Sequence, residues 1–260
     1  MLEEWMAVWQ KRVIDTLKKC KFPSSPVGQA SRYILVGSSM FYRPLVCLAA
    51  AQTFGADPAV ALPVACSLQA IHCASLIVDD LPSFDDSPVR REEPACHIRF
   101  GESTAILASY LLLTQADRLM LKTVNQLGSD IYAHLRQETA TTLEDMIYGQ
   151  WEDVSLRPII DLSVKSKIRA AKTGALYAFS AVAGGLVAGA SEDCIRLLRD
   201  YGRYLGTAYQ VFDDMRDKED VPGDKLRLKE LKRCALEALR ELNRPAPLLD
   251  NLLEKNVPSA

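Results

Sequence analysis

The chain predicts an all-α protein, and three observations carry that expectation. Ala, Leu, Arg, Glu and Lys are abundant, while alternating β-branched runs are scarce. Apolar residues recur at helical spacing, as at Trp5, Val8, Trp9, Val13 and Leu17. Two long runs, 58–78 and 173–191, carry no charge at all. Helices that are apolar all round belong at the centre of a large helical protein.

The elements follow in order. A first helix is expected over 3–20, and "KFPSSPVGQ" (21–29) breaks it with two prolines. A second is expected over 29–54, with Arg43-Pro44 inside it. A third covers 58–81, opened by Asp57 as N-cap and by Pro58 in its first turn. Both uncharged runs are long enough to span a bilayer. The first, however, contains Pro63, Gln69 and His72 and ends in aspartates, and the second is rich in Gly and Ala. Both are therefore read as core helices, with no transmembrane segment. Near the C-terminus a Pro-Gly turn precedes a charged amphipathic helix over 224–243; "RPAP" ends it, and a short helix follows.

At 260 residues, 48% hydrophobic and 25% charged, the chain can bury a sizeable core, and no linker interrupts it. It is read as one domain, 1–260. A net charge of −2 gives no reason to expect nucleic acid or an acidic membrane as partner. Seven cysteines, an odd number with no CxxC pair, sit mostly in apolar contexts. They read as small core residues in a reduced compartment, the cytoplasm. "MLEEWMAVWQKRV" lacks a signal-peptide apolar stretch, and a transit peptide removed upstream is compatible with it.

Two aspartate clusters carry the chemistry. "SLIVDDLPSFDDSPVRRE" places Asp79 and Asp80 late on the third helix, because Pro82 disrupts its continuation. "YQVFDDMRDKED" places Asp213 and Asp217 four apart, on one face of a helix. Such a like-charge pair costs a few tenths of a kcal/mol in isolation, and anions at a helix C-terminus are unfavourable. Two such clusters make sense if cations neutralise them. Carboxylate-only sites suit hard ions, Mg²⁺ above all, which shares its shell with substrate phosphates. Basic residues would then grip the phosphate oxygens, and Arg90, Arg91 and Lys172 are the candidates.

These residues sit in a recognisable order. "DDLPSFDDSPVRREEPACHIRFGE" resembles the first aspartate-rich motif of the trans-isoprenyl diphosphate synthases, and "QVFDDMRD" resembles the second, DDxxD. "SRYILVGSSMFYRPLVCLAAAQTFG", "LQAIHCASLIVDD", "YGQWEDV" and "KTGAL" are similar to further family segments. The likeness is to the farnesyl and geranylgeranyl diphosphate synthase branch. It implies an all-α isoprenoid synthase fold of about ten or more helices around a central cavity, as a homodimer or as a heterodimer with a related synthase. It implies a chemistry in which three Mg²⁺ and basic side chains ionise an allylic diphosphate, and isopentenyl diphosphate captures the cation. Carried over, Asp79 and Asp85 would ligate metal with Asp80 in support. Asp213 would ligate the third ion, with Asp214 and Asp217 helping. Arg90 and Lys172 would hold the allylic diphosphate; Arg43, His72 and Arg91 would hold isopentenyl diphosphate. Gln150 and Gln210 would be polar contacts.

The chain departs from the family at three places. Ser38-Ser39-Met40 replace a Gly-Gly-Lys, losing a charge-assisted phosphate contact worth roughly 1.5–3 kcal/mol. Glu92 replaces the glycine after the arginine pair, and the loop after Asp217 is shortened, with Lys218 or Lys225 as partial substitutes. The likeness therefore leaves three readings: a working short-chain synthase, a catalytically impaired regulatory subunit of an active one, and a class I terpene cyclase. Ala74 and Ser75, one turn before Asp79, would form the floor that sets product length. The small Ala74 leaves it open unless Tyr110 or Met120 closes it, which implies a C15–C20 product.

Overall fold

The computed structural model describes residues 2–37 and 39–258, so Ser38 of the altered Gly-Gly-Lys segment lies outside the described residues. The all-α expectation is met. The described residues form thirteen α-helices and one π-helical turn, and the only strands among them are two residues each. By its contacts the chain divides into two compact units: Met1–Leu45 with Leu62–Gln126, and Val46–Ala61 with Leu127–Ala260.

The first unit holds α1 (Leu2–Lys18), α2 (Pro26–Leu35), the start of α3 (Tyr42–Thr53) and most of α4 (Pro58–Asp79). A hairpin of β1 (Val89–Arg90) and β2 (Glu93–Pro94), then α5 (Cys96–Phe100) and α6 (Glu102–Leu121), complete it. Met6, Trp9, Val13 and Leu17 are the buried face of α1, at the spacing the sequence shows. The single helix expected over 29–54 is two helices. α2 starts earlier, because Ser25 caps the amide of Gly28 and Pro26 suits the first turn. α2 ends at Leu35, Phe41 adopts a left-handed φ of 54°, and α3 restarts at Tyr42. Pro44 then falls in the first turn of α3, where its missing N–H costs nothing. The break is what places Arg43 at the head of a helix.

α4 is apolar all round and largely buried, as expected of the first uncharged run. Pro63 deprives the Ala59 carbonyl of its helical donor, and Ala59 is exposed to water that can replace it. The hairpin turn is Arg91-Glu92, both with positive φ (56° and 66°), the pattern of a two-residue type I′ turn.

The second unit contains the rest of α3 and the start of α4, then α8 (Ser129–Ser155) and α9 (Leu162–Arg169), while α7 (Val124–Leu127) has all but its last residue in the first unit. The π turn (Ala170–Gly174), α10 (Ala175–Val187), α11 (Glu192–Asp217), α12 (Asp224–Glu241) and α13 (Pro247–Asn256) follow. α10 is buried on all sides, as the second uncharged run requires. Glycines let α11 lie directly on it: a Cβ at Gly202 would fall 2.4 Å from the Tyr177 carbonyl oxygen. Tyr177 and Tyr201, fully buried, spend their hydroxyls on Asn256 (3.0 Å) and on the Leu249 carbonyl (2.6 Å), which docks α13.

Candidate active site

In the first unit, α4 delivers Asp79 and Asp80 at its C-terminal end. The chain then turns so that the Asp85 amide donates to the Asp79 carbonyl at 3.0 Å, which keeps the two aspartates close. Asp79 is half-buried and Asp85 exposed. Asp80 points inward, is fully buried, and accepts from Arg90 Nε at 2.9 and 3.2 Å and from Arg90 Nη2. Burial pushes the Asp80 carboxyl above its ordinary value while Arg90 pulls it back. The bidentate geometry is that of a carboxylate on a guanidinium, and Asp80 is read as ionised. Asp80 thus orients Arg90.

Beside this pair lies a cluster of positive charge. Arg43 Nη1 is 3.2 Å and Arg91 Nη2 3.5 Å from the same atom, His72 Nε2. Burial, then Arg43 and Arg91, hold the His72 imidazole well below its ordinary pKa, so it stays neutral. A neutral ring accepting at Nε2 carries its proton on Nδ1, an assignment made from these contacts. Arg91 Nη1 is buried with no hydrogen-bond partner. Two guanidinium groups thus converge on one uncharged acceptor. Met40, where the family has a lysine, is about half exposed, and its carbonyl accepts from Gln10. Ala74 is buried and Ser75 bonds the His72 carbonyl at 2.9 Å; Met120 is buried, whereas Tyr110 is exposed on α6 and lines no interior floor.

In the second unit, α8 crosses the π turn very closely, since a Cβ at Gly149 would sit 2.7 Å from the Lys172 amide nitrogen. That approach sets Lys172 Nζ 3.0 Å from Asp153, which also accepts from Arg157 at 2.7 Å. Against burial, which raises it, Lys172 and Arg157 hold the Asp153 carboxyl below its ordinary value. Next to them the Gln150 amide is buried with neither its nitrogen nor its oxygen hydrogen-bonded. Thr173 donates to Gln210 Oε1 (2.8 Å), and Gln210 Nε2 donates to Asp214 Oδ1 (2.7 Å).

The three aspartates of α11 are not equivalent. Asp214 turns inward, where its Oδ2 accepts from Arg169 Nε (2.9 Å) and Nη2 (2.7 Å), with Lys165 at 3.2 Å. Arg169, only 2% exposed, also grips Asp224 at 2.6 and 2.8 Å, and Asp224 in turn accepts from the Val221 amide. The shortened loop after Asp217 is pinned by this network. Asp213, half-buried, and Asp217, exposed, both pair with Arg216. Burial pushes the Asp213 carboxyl up, and Arg216 offsets part of that rise.

The sequence-derived residues therefore fall into two sets, one in each unit. The first joins Asp79, Asp80, Asp85 and Arg90 with Arg43, His72 and Arg91; the second joins Gln150, Lys172, Gln210, Asp213, Asp214 and Asp217. Sequence reasoning missed Arg169, Asp224, Lys165 and Asp153. Asp153 carried a signal, as the aspartate of the "GQWED" segment, whereas Arg169 and Asp224 gain meaning only from their packing. Among the described residues no group of three or more His, Cys, Asp or Glu side chains is gathered as a metal site. Asp79, Asp85, Asp213 and Asp217 are all hard oxygen donors, two in each motif. Such a set fits Mg²⁺, which takes one or two protein carboxylates and completes its shell with water and phosphate.

Comparison with known proteins agrees with this arrangement. The sequence profile described as Polyprenyl synthetase matches residues 25–225. Geranylgeranyl pyrophosphate synthase 10, mitochondrial, of Arabidopsis thaliana is 35% identical over 75% of this chain, a match that spans only 58% of that protein's length. The heterodimeric geranylgeranyl pyrophosphate synthase small subunit, chloroplastic, of the same plant is 35% identical over 92% of this chain and 73% of its own. The crystal structure of an FPP/GFPP synthase from Zymomonas mobilis superposes with a TM-score of 0.90 at 24% identity, covering 98% of both chains, and so shares the fold. With its two aspartate clusters, its paired arginines and its profile match in agreement, this chain belongs to the polyprenyl synthetase family.

Proposed function

We propose that this chain is a Mg²⁺-dependent trans-prenyltransferase that joins isopentenyl diphosphate to an allylic diphosphate and releases a C15–C20 prenyl diphosphate. The observation that carries the reading is the pair of guanidinium groups, Arg43 and Arg91, converging on a neutral His72. A diphosphate meets such a pair of guanidinium groups with matching bidentate geometry. In the reaction the allylic C–O bond breaks and pyrophosphate leaves. The isopentenyl double bond donates its electrons to the allylic cation, a C–C bond forms, and the proton lost passes to the pyrophosphate.

Asp79 and Asp85 hold metal at the first motif, with Asp80 fixing Arg90; Asp213 and Asp217 hold it at the second. Three ions is the expected number. Bound Mg²⁺ supplies the charge stabilisation that lets the diphosphate leave. Arg90 and Lys172 are each phosphate ligands, and each is shared with a carboxylate, Asp80 and Asp153 respectively. The unsatisfied Gln150 amide and Gln210 orient substrate. Ala74 and Ser75 leave room for the growing chain. We take residues 1–260 as one catalytic domain working as a homodimer. A reducing compartment suits the seven free cysteines. That is the cytoplasm, or an organelle of the kind named for the plant relatives.

The test is incubation of the purified chain with Mg²⁺, isopentenyl diphosphate and dimethylallyl, geranyl or farnesyl diphosphate in turn, with sizing of the product. A single prenyl diphosphate of fifteen or twenty carbons is expected. A second reading has its own support, since one relative is named as a small subunit and Met40 removes a phosphate contact. In that reading the chain alone is inert and changes the product of an active synthase when the two are mixed.

A further inference from the structure

The second aspartate motif carries a cation of its own. On the last turn of α11, Arg216 follows Asp213 by three residues and immediately precedes Asp217. Its Nη2 pairs with Asp213 Oδ1, its Nε lies 3.1 Å from Asp217 Oδ1, and its Nη2 lies 3.5 Å from Asp217 Oδ2. One guanidinium thus bridges both of these carboxylates, the half-buried Asp213 and the exposed Asp217, while the third, Asp214, is committed inward to Arg169. The spacing makes this possible: Asp213 and Asp217 share a helix face, and an arginine between them reaches both.

We propose that Arg216 is a resident counter-cation at the second motif, which a divalent ion must displace before it can use Asp213 and Asp217 together. Arg216 then sets how tightly, and with how many ions, the second motif loads. The inference rests on the metal reading of that motif but not on prenyl transfer itself. A guanidinium is charged at every physiological pH and is tethered to the helix, so it is always present as a competitor. It brings a single charge, and its side chain is 60% exposed, so a hydrated ion can reach the carboxylates once the arginine swings away. Where it cannot leave entirely, its charge still opposes the metal at short range. A merely structural arginine, placed to complement the C-terminal end of the helix dipole, would affect stability and leave metal binding untouched.

The test uses the full chain and Mn²⁺ alone, read by the loss of the free-ion electron paramagnetic resonance signal and by calorimetry. Wild type, Arg216→Met and Arg216→Lys are compared, each first shown to be folded by circular dichroism. Arg216→Met is expected to bind Mn²⁺ at the second motif about tenfold tighter than wild type. Adding Asp213→Asn and Asp217→Asn should abolish that gain. Arg216→Lys, which keeps the charge but loses the fork, should fall between the two. Mn²⁺ affinity and stoichiometry equal in all three folded proteins would overturn the proposal, as would a gain that survives loss of both aspartates. If Arg216→Met tightens Mn²⁺ binding in a chain that transfers no prenyl group, the inference stands and the catalytic reading falls. If Mn²⁺ binding is unchanged in an active enzyme, the inference alone falls.

Discussion

His72 illustrates how one residue can act by staying uncharged. Enclosed by side chains and faced by Arg43 and Arg91, it would add a third positive charge if protonated, and the protein pushes its pKa well below 6.5. The unfolded chain therefore binds a proton there that the folded chain refuses. Stability from this group is fully present above the ordinary histidine value and is lost as pH falls through and below about 6.5. Chemical denaturation from pH 8 down to pH 5 should show a loss of stability that His72→Gln removes. The guanidinium at its side has a different task. Arg91→Met should leave the fold intact and raise KM for isopentenyl diphosphate about 10- to 100-fold, the cost of one charge-assisted contact. Initial-rate kinetics at saturating allylic substrate would measure it, and an unchanged KM would remove Arg91 from the substrate site. Arg91 was legible beside the first aspartate cluster, whereas His72 was picked out through the likeness of its segment to the family's. Their mutual geometry was not legible, since it depends on three separate segments packing together.

At the scale of elements, the second motif depends on helices that sequence spacing does not connect. Arg169 ends α9, Asp214 lies near the end of α11, and Asp224 begins α12. They meet 45 and 55 residues apart in a buried, fully hydrogen-bonded network. Removing Arg169 leaves two buried carboxylates short of their partner, and Arg169→Met should cost about 3–5 kcal/mol in urea denaturation. A cost below about 1 kcal/mol would show that Lys165 and solvent suffice. The contrast with the first motif is instructive. There Asp80 and Arg90 are ten residues apart in the first motif, so both were singled out, though as metal support and phosphate ligand and not as an ion pair; Arg169 offered only an arginine in a charged stretch. Helix boundaries divide along the same line. α1 and α4 follow from strong local periodicity and from caps. The split of 29–54 into α2 and α3 turns on a left-handed Phe41 that carries no propensity signal, and Pro44 was read as lying inside one helix when it marks the first turn of a second.

For the whole molecule, the all-α class and the central role of the two uncharged runs were written into composition and charge pattern. α4 and α10 are buried for the reason their sequences lack charge, and α10 tolerates no bulk where Gly202 lets α11 close on it. The function rests on a smaller set of side chains than the fold does. Both aspartate clusters that resemble the family's motifs are present, while Met40, Glu92 and the loop after Asp217 depart from the family's pattern. Whether such a molecule still transfers prenyl groups is the central question. The measurement that answers it is the rate at which labelled isopentenyl diphosphate enters a longer prenyl diphosphate in the presence of Mg²⁺ and an allylic co-substrate. Wild type should be compared with folded Asp79→Ala. The account predicts steady incorporation by wild type and a loss on the order of a hundredfold or more in the variant, since the ion-held diphosphate is what leaves. No incorporation by folded wild type with any of the three allylic diphosphates, or equal rates in the two proteins, would contradict it.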